Sequence, residues 1–162
     1  ANEWHHEQVL AMDRSIRRIA GQALLPSPTA SAAHSINLAA RTDLIVLAHN
    51  SANPPQMEYA TRAALDLLEV EWDDFVKTKW GDWRQDSASI LDSDGQQFSF
   101  CNVILEKDGK RFELQDAVVW DIHASVDDPD AFGERLGQAI MALKSGVVEV
   151  QTENGKGPPR RF

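Results

Sequence analysis

Residues 98–122 run Phe-Ser-Phe-Cys-Asn-Val-Ile-Leu-Glu-Lys-Asp-Gly-Lys-Arg-Phe-Glu-Leu-Gln-Asp-Ala-Val-Val-Trp-Asp-Ile. The pattern is that of a long β-hairpin. Asp108-Gly109 suits a two-residue type I′ turn, whose central residues need positive φ and whose hand matches strand twist. In the second strand Phe112, Leu114, Val118, Trp120 and Ile122 are expected on one face, with Arg111, Glu113 and Gln115 on the other. A two-residue turn pairs Lys107 with Lys110. Counting back places Leu105 opposite Phe112, Val103 opposite Leu114, Cys101 opposite Asp116 and Ser99 opposite Val118. Asp116 then falls on the apolar face, where a carboxylate is expensive unless hydrogen-bonded or protonated.

The chain around this hairpin has 162 residues, 43% of them hydrophobic, so one domain with a proper core is expected. Five tryptophans call for a core or an interface. A net charge of −9 argues against nonspecific binding to nucleic acid or to an anionic membrane, which reward clustered cations. No apolar run reaches membrane-spanning length, and the start lacks a signal-peptide pattern. Cys101 is the sole cysteine, which rules out an intrachain disulfide and a cysteine metal cluster and fits a reducing, cytoplasmic setting.

Upstream, residues 3–23 have helical periodicity. Val9, Met12, Ile16, Ile19 and Ala23 fall on one side; Glu7, Asp13, Arg14, Arg17 and Arg18 fall largely elsewhere. Pro26 and Pro28 stop this helix. Ser31 opens a second helix to about Arg41. Leu44–Ala48 reads as a buried strand, Met57–Ala60 as a short one, and Thr61 as the N-cap of a helix from Arg62 to about Leu68. Trp72–Val76 reads as a further short helix. Residues 77–97 have no clear pattern, and Trp80 and Trp83 there suit a covering loop. Residues 129–145 fit either a helix opening at Pro129 or a strand over Leu136–Leu143. Glycines and prolines mark 151–162 as a flexible tail.

This order of elements resembles the MEKHLA domain, a relative of the PAS domain. The resemblance rests on Leu44–Asn50 followed by Pro54 and Tyr59-Ala60-Thr61-Arg62-Ala63-Ala64-Leu65, and on Trp72 with Phe75. It continues through Gly109-Lys110-Arg111-Phe112, then Asp116-Ala117-Val118-Val119-Trp120-Asp121, and closes on Gly137-Gln138-Ala139. Residues 77–97 are shorter than the family's segment, and Asn50 stands where Asp is usual. The resemblance implies an α+β fold, a PAS-like antiparallel sheet with short helices on one face and an N-terminal helical extension. It favours the strand over Leu136–Leu143. The expected organisation is 1–43 extension, 44–150 PAS-like domain and 151–162 tail.

The implied function is a small-ligand-binding or sensory module, a homodimer through the apolar stripe of the first helix. The alternatives are a cofactor-free isomerase or lyase with Asp116 as acid or base, and an interaction domain with a filled core. In PAS-like folds the sheet face lines the cavity. That makes Ser99, Cys101, Phe112, Leu114, Asp116, Val118 and Trp120 candidate ligand contacts, with His49 and Tyr59 beside them. Cys101 on a strand also reads simply as a small buried residue. None of the five histidines has ligand spacing, so no metal and no cofactor is assigned.

Overall fold

A computed structural model describes residues 3–52, 55–77, 98–107, 110–125, 133–151 and 160–161. The elements are α1 (Glu3–Ala20), α2 (Ala32–Ala39), β1 (Leu44–Asn50), β2 (Met57–Ala60), α3 (Arg62–Leu68), α4 (Trp72–Phe75), β3 (Phe98–Lys107), β4 (Lys110–His123), β5 (Arg135–Leu143), β6 (Val147–Gln151) and β7 (Arg160–Arg161). The strands form one antiparallel sheet of seven, the last only two residues long. The α+β, PAS-like fold is as expected, and Leu136–Leu143 is strand. The Asp108-Gly109 turn, Trp80, Trp83, Pro129 and residues 152–159 of the tail lie outside the described residues. No helix among the described residues is long and apolar enough to cross a membrane.

The long strand β4 organises the sheet. β3 pairs along one side of it. On the other side its first half pairs with β6 and its second half with β5. β1 joins β5, and β2 joins β1. The hairpin register is as expected from Lys107↔Lys110 to Val103↔Leu114. Beyond that it shifts. Cys101 lies opposite Ala117, not Asp116, and Ser99 lies opposite Val119, not Val118. Gln115 and Asp116 together oppose Asn102, which makes a β-bulge. Asp116 has φ 55, a left-handed conformation that Asp tolerates better than most residues.

The bulge turns the strand over. Phe112 and Leu114 pack with Ala117 and Val119 in one apolar core, against α3 and α4. Val118, Trp120 and Ile122 pack in a second core on the opposite face, beneath α1. The face expected to be shared by Phe112, Leu114, Val118, Trp120 and Ile122 is therefore two faces.

The second core corrects the reading of α1. Val9, Met12 and Ile16 are at most 1% exposed, buried on this chain's own sheet. Each such burial is worth roughly 1.5–3 kcal/mol. The stripe expected to hold a second copy is thus satisfied internally. Trp120 Nε1 donates to the Met12 carbonyl at 3.2 Å and ties the helix to β4. Asp13 is not a solvent-facing residue but is 1% exposed. Its Oδ1 accepts the backbone N–H groups of Leu24 (2.8 Å) and Leu25 (3.0 Å), and its Oδ2 accepts Arg17 Nε at 2.7 Å. One buried carboxylate so fixes the exit from α1, as a buried charge must be paired and hydrogen-bonded to be tolerated.

Thr61 stands at the N-cap of α3 without a side-chain capping bond. Its hydroxyl donates to the Leu44 carbonyl (2.8 Å) and accepts from the Val46 N–H (3.1 Å), clamping α3 to β1.

Candidate functional site

On the face covered by α3 and α4, most of the sheet is filled. Phe75, Val103, Leu105, Phe112 and Leu114 are at most 3% exposed and close the space between helices and strands. One end of the face is different. His49 on β1 is opposite Gln138 on β5, and Gln138 is opposite Asp121 on β4. Opposed residues on one face have Cβ atoms roughly 4.5–5.5 Å apart, so the three side chains form a polar row across three central strands.

The row is buried. His49 is 2% exposed and Gln138 3% exposed. Gln138 Nε2 donates to Asp121 Oδ1 at 3.1 Å. The carboxylate accepts only, which fixes the orientation of the amide and turns its carbonyl oxygen away. That Oε1 finds no hydrogen-bond partner among the described residues. Arg135 Nε lies 3.3 Å from Asp121 Oδ1 and balances its charge. His49 Nδ1 donates to the Asn50 carbonyl at 2.7 Å, which fixes the ring against the end of β1.

Gly137 makes the row possible. A Cβ there would overlap the His49 carbonyl oxygen, so only glycine lets β5 close on β1 at this point.

The structure divides the expected site residues. Ser99 and Cys101 pair with Val119 and Ala117 and share the face of the row. Phe112 and Leu114 are on that face too, within its apolar filling. Val118, Trp120 and Tyr59 belong to the core beneath α1. Asp116 is exposed at the bulge and does not reach the interior. The acid or base role assigned to it inside a cavity has no structural basis. Gln138 and Asp121 were not singled out as ligand contacts. The signal for Gln138 was a long polar side chain in the middle of an apolar strand, Leu136–Leu143.

Residues 6–145 match the family model of the MEKHLA domain. The chain belongs to the MEKHLA domain family. Its sheet, with short helices on one face, is that of a PAS-related sensory domain. In this MEKHLA domain the apolar filling and the polar row share one face of the sheet. No curated protein matches the chain in sequence.

Proposed function

We propose that this MEKHLA domain is a small-ligand-binding sensory module whose ligand meets the His49–Gln138–Asp121 row, with Ser99 and Cys101 on the adjoining strand. The observation that carries this reading is the buried Gln138 Oε1, which has no partner among the described residues. An unsatisfied buried carbonyl costs about 1–3 kcal/mol, and such groups in native structures call for an explanation. A ligand donor supplies one. The row offers acceptors in the Gln138 carbonyl and the Asp121 carboxylate. Its ligand is accordingly rich in hydroxyl or N–H donors. The filling by Phe75, Phe112 and Leu114 confines this ligand to one end of the face.

Native mass spectrometry of protein purified without denaturation tests the reading. The wild type should carry an adduct of small-molecule mass that Gln138→Leu, similar in volume but apolar, loses. A wild type without any adduct, or an adduct equally retained by the variant, speaks against it.

A further inference from the structure

The opposite face of the sheet carries a cleft. It opens where α1 passes the ends of β2, β4 and β5 and has a volume of about 380 Å³. Gln8, Ala11, Arg14, Glu58, Ile122 and Leu136 are among its walls. Two of these are bulge residues. Glu58 is the extra residue where Tyr59 pairs with Ala48 and Met57 with His49. Leu136 is the extra residue where Gly137 pairs with Ile122 and Arg135 with His123. Bulges re-aim side chains, and both of these bring theirs to the cleft beside α1.

The polar groups in the cleft are mismatched. Gln8 Nε2 donates to Glu58 Oε2 at 3.0 Å. That bond orients the amide, and Gln8 Oε1 is left out of contact with solvent and without a hydrogen-bond partner among the described residues. Glu58 is half-buried and its carboxyl accepts from Gln8; no lysine or arginine among the described residues pairs with it. A carboxylate and a carbonyl oxygen therefore stand together, with no cation among the described residues paired to them. Beside them lies apolar wall from Ala11, Ile122 and Leu136. Arg14, also at the cleft, is exposed and forms no ion pair with Glu58.

We propose that this cleft binds a small primary amine with an apolar body. The ammonium donates to the Glu58 carboxylate, and the body rests on Ala11, Ile122 and Leu136. A space of this size is within the range that encloses small ligands. The site is separate from the polar row, which lies on the other face of the sheet, so the two stand or fall independently.

The test uses the full chain and phenethylamine as the probe, with phenylacetate as its anionic counterpart, followed by calorimetry. Phenethylamine should bind saturably and phenylacetate should not. Glu58→Gln should weaken phenethylamine roughly tenfold or more, the loss expected of a charge-assisted hydrogen bond. Leu136→Trp fills the cleft without touching a charge and should abolish binding in a protein that still folds; it decides the matter if Glu58→Gln does not fold. Gln138→Leu should leave phenethylamine binding unchanged. Absence of phenethylamine binding, equal binding of phenylacetate, retained affinity in Leu136→Trp, or loss in Gln138→Leu would each overturn the proposal.

Discussion

The backbone N–H of Asp116 donates to Asn102 Oδ1 at 3.2 Å, across the bulge at which β4 turns over. Asn102 reaches Glu113 as well, through Nδ2 at 3.0 Å. One side chain on β3 thus bridges the two residues that flank the change of face. Asn102→Ala should cost about 1 kcal/mol, the net worth of a typical hydrogen bond. At Asp116 the left-handed φ decides: Asp116→Gly should be neutral or stabilising, and Asp116→Val should cost about 1 kcal/mol or more. Chemical denaturation of the three variants checks the order.

Gly137→Ala should be among the most damaging single substitutions in the chain. The new Cβ would overlap the His49 carbonyl, which is backbone and cannot swing aside. A loss above about 2 kcal/mol is expected, with altered amide resonances at His49 and Asn50 in an NMR spectrum. A variant as stable as the wild type would mean that β5 lies further from β1 than described.

Trp120 is fully buried and hydrogen-bonded to the Met12 carbonyl. Trp120→Phe should cost about 1 kcal/mol or more from the lost bond together with a partial cavity, and Trp120→Ala about 3–5 kcal/mol. Removing residues 1–25 should destroy the cooperative fold rather than release a folded monomer, because Val9, Met12 and Ile16 complete a core. Thermal unfolding followed by circular dichroism distinguishes the two.

Burial raises the pKa of Glu58, and the hydrogen bond from Gln8 lowers it by less. A carboxyl with a raised folded pKa binds more protons folded than unfolded, so this group lowers stability as pH rises from the unfolded pKa through the folded one. Glu58→Gln keeps an acceptor for Gln8 and removes the charge. It should raise the melting temperature at pH 7, and the difference should shrink toward pH 4. A variant less stable than the wild type at pH 7 would show that the charge has a cationic partner.

The sequence pattern carried the outer part of the hairpin, because Phe112, Leu114 and their partners alternate cleanly before the bulge. It misplaced the inner part for a physical reason. Strict alternation assumes no extra residue, and one bulge residue exchanges the two faces for everything beyond it. The unbroken run Ala117-Val118-Val119-Trp120 was the available sign, since a strand covered on both faces has no polar side. Asp116, a residue tolerant of positive φ, interrupts the pattern just before that run. The stripe on α1 suited a second copy as long as one small sheet offered too little surface to cover it; the exchange of faces at the bulge puts Val118, Trp120 and Ile122 beneath the helix. His49 was legible because a polar residue closes an apolar strand. Gln138 stood out only as a long polar side chain in an apolar strand; its importance comes from its neighbours across β1 and β4, which no pattern within one strand gives.

The side-chain amide of Gln138 is the most direct reporter on the proposed ligand. Its Nε2 is held by Asp121, while its Oε1 has no protein partner among the described residues. A two-dimensional ¹H–¹⁵N spectrum can be recorded on protein purified without denaturation, and again on the same protein unfolded, desalted and refolded. The account predicts that the Gln138 side-chain resonances, assigned with Gln138→Leu, shift between the two samples while those of the filled core, such as the Leu105 and Phe112 amides, stay in place. Superimposable Gln138 resonances in the two samples would contradict it.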